Sequence, residues 1–173
     1  MPSRGGCRSI HSPARMMHPI TLRATALLAA LSFISPAIAA DVSLIGTWQI
    51  TDAQAAPWVS SSQQPGLTAA GKRMIGTDVV FAPGSVKSKF KPFDCKSKVL
   101  YAPNSIEVDA LFQGNLPEPN PAAAAARLGF PKGKTEFPGV DVRCLKALYT
   151  FHFRDPNTAM INYERIIYTL TRQ

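Results

Sequence analysis

The side chains that could do chemistry are few and widely spaced. Residues 41–173 contain one histidine, His152, and two cysteines, Cys95 and Cys144. A nucleophile–base arrangement needs an activated serine or cysteine, a base in reach, and a group that orients the base. Ser60, Ser61 and Ser62 lack a Gly-x-Ser-x-Gly setting and read as a loop. Glu107 and Asp109 stand two residues apart on one expected strand face, and Asp52 lies near the end of the first strand. Two carboxylates facing one cleft could serve glycoside chemistry, but these read as a solvated rim. No phosphate-binding loop, dinucleotide fingerprint or haem-attachment motif occurs. No catalytic residue is assigned, and a non-enzymatic protein is expected.

Metal chemistry is equally thin. Two cysteines and one histidine fall short of the four ligands of a structural zinc site. Cys7, His11, Met16, Met17 and His18 would suit copper, yet they precede a segment that looks removable. Residues 16–40, MMHPITLRATALLAALSFISPAIAA, have the parts of a secretory signal peptide. Arg15 and Arg23 supply the positive start, residues 24–34 the apolar core, and Ala37, Ala39 and Ala40 the small residues of a cleavage site. The apolar run falls short of the roughly 20 residues that span a bilayer. Residues 1–40 are thus read as a leader, with residues 1–15 an over-extended start ahead of Met16 and Met17. The destination is periplasmic or secreted, no cofactor or metal is expected, and Cys95 with Cys144 forms an even pair in an oxidising compartment. A bridge between them would close a loop of about 50 residues and constrain the unfolded chain by a few kcal/mol.

Without the leader, Arg4, Arg8, Arg15 and Arg23 are lost, and 15 basic residues face 11 acidic ones, a net charge of +4 against +8 for the whole chain. The remaining 133 residues suit one domain. Short β-prone segments recur along it. Residues 44–50, 77–81, 86–90, 98–101 and 106–112 read as strands, with APGS and APNS as turns. In ALYTFHFRD, Tyr149, Phe151 and Phe153 alternate with Thr150, His152 and Arg154, the period-2 pattern of a half-buried strand. This leaves His152 facing either solvent or the barrel. The turn DPNT follows, and residues 159–172 read as one return strand, bent near Glu164 and Arg165. Asn120 as cap, Pro121 at the first turn and Gly129 at the stop predict a short helix. Residues 65–76 suit a turn or two more, and residues 116–139, rich in proline, read as a surface excursion.

Such a chain suggests a small antiparallel barrel with one or two short helices, mainly β. Gly46-Thr47-Trp48 on the first strand resembles the Gly-x-Trp motif of lipocalins and lipocalin-like barrels. The resemblance implies that Trp48 plugs the closed end, with Arg172, in the last strand, packed against it. The chain departs from that family in ending at its last strand and in carrying the excursion before the final hairpin. Trp58 follows Pro57 in an expected loop and could serve as a lid or partner contact.

Five lysines, at 87, 89, 91, 96 and 98, surround Phe90, Phe93 and Cys95. Interleaved charge and aromatics can bind nucleic acid, but export removes that partner, and a lysine-rich edge that discourages strand pairing is the simpler reading. The function expected is binding of a small apolar or amphiphilic molecule in the cell envelope by a monomer. Phe81, Phe112, Tyr149, Phe151, Phe153 and Tyr168 would form the apolar lining, and Arg154 or Arg165 would hold an anionic head. The alternative is a protein-binding inhibitor of an envelope or wall-degrading enzyme, presenting residues 83–89 or the Trp58 segment.

Overall fold

A computed structural model describes residues 42–96, 98–115 and 120–173; the expected leader lies outside them. Its elements run β1 (Gly46–Ala55), α1 (Gln64–Lys72), β2 (Asp78–Ala82), β3 (Ser85–Ser88), a 3-10 turn (Lys91–Phe93), β4 (Val99–Glu107), α2 (Val108–Leu111), α3 (Pro121–Arg127), β5 (Glu136–Cys144), β6 (Ala147–Asp155), β7 (Thr158–Tyr163) and β8 (Ile166–Arg172). The strands form one antiparallel sheet in the order β3-β2-β1-β8-β7-β6-β5-β4. Apart from β1 beside β8, neighbours in the sheet are neighbours in sequence. The sheet is therefore an up-and-down meander curled into a half-barrel, open between β3 and β4.

Side chains and a covalent bond draw these two edges together. The Tyr101 hydroxyl on β4 is shared between the carbonyls of Ala82 and Ser85, 3.0 Å from each. Cys95, bridged to Val86 on β3, forms a disulfide with Cys144 at the end of β5. Edge groups that would otherwise invite pairing with another chain are thus partly covered.

Period-2 alternation divides the sheet into two faces, the inner one buried and the outer one covered in part. Trp48, Ile50, Phe81, Phe151, Phe153, Tyr168 and Leu170 pack inside the curl. Each such side chain contributes about 2 kcal/mol when withdrawn from water. Residues of opposite parity, including Phe137, Met160 and Ile167, face outward and pack with Val59, Leu111, Phe112 and Ala125. α2 and α3 supply this outer layer. Asn120 caps α3 through a 3.0 Å bond from the Ala123 amide, satisfying a donor that the first turn leaves unpaired.

At one end, Arg172 lies over Trp48, its guanidinium carbon 4.4 Å from the ring centroid. It also donates to the carbonyls of Ile45, at 2.9 Å, and Ser43. The Trp48 indole donates to Leu44 at 2.7 Å, so its polar atom is satisfied despite full burial. Gly46 has φ +134°, and a Cβ there would lie 3.0 Å from the guanidinium.

Four local expectations change. APNS is not a turn: β4 runs through it, and Pro103 is tolerated because β4 is an edge strand. The strand expected over residues 106–112 stops at Glu107. Val108, Leu111 and Phe112, spaced i, i+3, i+4, instead bury one side of α2. The excursion ends early, because β5 begins at Glu136 and accommodates Pro138 where only β4 pairs with it. Residues 159–172 form two strands rather than one bent strand. Glu164 and Arg165 make the turn at φ +49° and +63°, a conformation usually signalled by Gly or Asn.

Candidate functional site

The residues expected to line a pocket do not gather around one. Phe81, Phe151, Phe153 and Tyr168 do meet inside the barrel, with Phe81 and Phe151 edge to face at 5.3 Å. The space bounded by Phe81, Phe93, Cys95 and Phe151 is about 10 Å³, about the least that holds one water. Tyr149 is half-buried at the end of this core, its hydroxyl donating to the Pro92 carbonyl at 2.6 Å. Phe112 lies on the other side of the sheet, in the outer layer, where Trp58 meets it edge to face at 6.2 Å. Arg154 also projects outward, along Gly129, and approaches the Leu128 carbonyl at 3.4 Å. Arg165 is exposed in the β7–β8 turn. Neither arginine stands where it could anchor a ligand inside the barrel.

A cleft of about 510 Å³ opens instead on the outer face, and its origin is an interruption of the sheet. The β6–β7 ladder pairs Asp155 with Thr158, Phe153 with Ala159 and His152 with Met160, then stops. Beyond that point the ladder partners of Ala147, Leu148, Tyr149, Thr150 and Phe151 are on β5, and those of Ile161, Asn162 and Tyr163 are on β8. The two strands splay. Aromatic rings fill the inner side of the opening: Tyr149 and Tyr163 stand 6.2 Å apart, and Phe93 meets both, at 5.4 and 5.9 Å. On the outer side Ala110, Leu111 and Gln113, in and just beyond α2, form one wall.

His152 occupies the apex of the splay. It is 1% exposed, and neither ring nitrogen makes a well-aligned hydrogen bond, although the Glu107 and Thr150 backbone carbonyls lie near enough to attract an imidazole N–H. Burial holds its pKa down at about 4, from an ordinary 6.5, against weaker upward pulls from the Glu107 backbone, the Asp141 charge and the Thr150 backbone. The imidazole is therefore neutral at physiological pH, with one donor and one acceptor. Asn162, on the facing strand, donates through Nδ2 to the Leu111 carbonyl at 3.0 Å. Its buried Oδ1 has no partner. Thr150 is engaged elsewhere, its hydroxyl 2.7 Å from the Asp141 carboxylate. Polar groups are buried without partners only at a cost, and here two of them line one opening. Among the described residues no serine, threonine or cysteine side chain hydrogen-bonds to His152.

Asn162 escaped notice in the sequence. Its one signal is a polar residue at an outward position beside the apolar run Ala159-Met160-Ile161. His152 was conspicuous, but its burial comes from α2, a helix the alternation of residues 106–112 disguised.

A second concavity, about 610 Å³, is lined by Lys87, Lys89, Lys91 and Lys96 along the β3 edge, with Asp94 3.9 Å from Lys91. Among the described residues no group of three or more His, Cys, Asp or Glu side chains is placed to hold a metal ion. No helix among them is long and apolar enough to cross a membrane. Comparison of the chain with protein-family models, with curated proteins and with solved structures found no match.

Proposed function

We propose that this protein is an exported, non-enzymatic β-barrel that binds a small amphiphilic molecule in the cell envelope, through the cleft between β6 and β7. The observation that carries the reading is the pair of unpartnered polar groups, the His152 imidazole and Asn162 Oδ1, buried at that cleft. Its volume of about 510 Å³ falls in the range of small-molecule sites, and its lining is more polar than apolar. Leu111, Ala110 and Leu148 offer the apolar surface, and Leu148 is left 57% exposed at the mouth. A periplasmic or secreted location agrees with the leader-like residues 16–40 and with the disulfide. The barrel interior is the weaker candidate, given how tightly Phe81, Phe93 and Phe151 close on one another. The inhibitor alternative has less support, since Trp58 is laid against Phe112 rather than presented to a partner.

Native mass spectrometry of the protein purified gently from its own envelope tests the reading. The wild type is expected to carry a reproducible small-molecule adduct that His152→Leu loses. A bare wild-type chain, or the same adduct on the variant, would overturn the proposal.

A further inference from the structure

The polar groups of the cleft also restrict what head group it can hold. Asn162 Oδ1 is an acceptor without a partner, and one hydrogen of its amide goes to the Leu111 carbonyl. A neutral imidazole adds one lone pair and one N–H. The carbonyls of Glu107 and Thr150 are close enough to His152 to influence it electrostatically, so they are the natural neighbours of that N–H. What the two buried acceptors, the imidazole lone pair and Asn162 Oδ1, then lack is a donor each.

Charge narrows the choice further. A carboxylate or phosphate head would set its oxygens against acceptors and is disfavoured. An ammonium has the donors, but its charge would be stripped of water with no carboxylate at the buried end of the cleft: Asp141 is not part of its lining, and Glu164 is exposed at the rim. An uncharged head satisfies both acceptors without that penalty. Resting on the binding reading above, we infer that the β6–β7 cleft selects molecules with an uncharged head that donates two hydrogen bonds, a primary amide or a pair of adjacent hydroxyls, joined to a short apolar chain that lies along Leu111 and Leu148.

The test uses the exported protein labelled with nitrogen-15 histidine, the imidazole signals of His152 being identified by their loss in His152→Gln. Four six-carbon probes are titrated at pH 7.5: hexanamide, 1,2-hexanediol, hexanoate and hexylamine. Hexanamide or the diol is expected to shift the His152 signals saturably, with at least tenfold tighter binding than hexanoate or hexylamine. Equal or tighter binding of either charged probe would overturn the head-group inference and leave the cleft as a binding site. If none of the four moves the His152 signals, the cleft reading falls and this inference falls with it.

Discussion

Acidification is expected to destabilise this protein through His152 alone among its described histidines, and the size of the effect follows from its burial. In the unfolded chain the imidazole takes up a proton near 6.5; in the folded protein it does so at about 4. Between those values the unfolded chain binds more protons than the folded one, so stability falls as pH falls. Above 6.5 both states are neutral and the contribution is constant; below about 4 both are protonated and the loss stops growing. At roughly 1.4 kcal/mol per pH unit, the span corresponds to a loss of about 3 kcal/mol, or about 2 M in the urea midpoint of a domain this size. The assay is urea unfolding followed by tryptophan fluorescence at pH 7.5, 6.5, 5.5 and 4.5, for the wild type and for His152→Gln. Carboxylates titrate in both proteins, so the difference between the two curves isolates the imidazole. The wild type is expected to lose stability more steeply than the variant from pH 6.5 downward. Parallel curves would refute the claim that His152 is buried as a neutral group.

Three further changes address the frame that holds the cleft. Reducing the Cys95–Cys144 bond, or replacing both cysteines with alanine, frees a loop with a sequence separation of 49; a loss of about 4 kcal/mol is expected in urea titrations. Arg172→Met keeps much of the aliphatic stem but removes the guanidinium from Trp48, Ile45 and Ser43. A loss of about 1–2 kcal/mol is expected, with an altered near-ultraviolet dichroism of Trp48; an unchanged melting temperature would count against the stacking as a stabilising contact. Gly139→Ala would place a Cβ 2.1 Å from Ile106 Cδ1 and 2.9 Å from the Phe151 carbonyl. Crowding of this kind costs about 1–3 kcal/mol, and Ile106→Val in the same chain should recover part of it in thermal unfolding, since only the side-chain clash is relieved.

The barrel was legible because its signals are local. Alternation in residues 147–155 marks β6 directly, and Asn120, Pro121 and Gly129 frame α3. Cys95 and Cys144, the two cysteines that follow the leader-like segment, point to each other. The missed elements lack such local marks. β5 contains Pro138 and Gly139, residues that ordinarily argue against a strand, and it is held by β4 and β6 rather than by its own propensity. The Glu164–Arg165 turn has neither glycine nor asparagine at its positive-φ positions. The cleft was illegible for a related reason: it exists because a ladder stops after His152 and Met160, and register is a property of two strands together. No periodicity within β6 alone could reveal that β7 turns away from it.

The two faces of the sheet also differ in what they tolerate, and that difference supports the proposal of a binding site between β6 and β7. Inside the barrel the aromatic side chains close on one another, and the exceptional polar atoms there, such as the Trp48 indole N–H, find partners. On the outer face Met160 and Ile167 show that apolar residues fit beneath the covering helices. An apolar side chain at His152 would satisfy the same packing without a buried, unpartnered imidazole, an omission that costs about 1–3 kcal/mol. A sequence shaped for stability alone has no use for that arrangement, and local conflicts of this kind collect at functional sites. Among the described residues the conflict lies where β6 and β7 part and a cleft of molecular size begins. Position, chemistry and volume coincide at His152 and Asn162, whereas the lysine concavity has an adequate structural role in guarding the β3 edge.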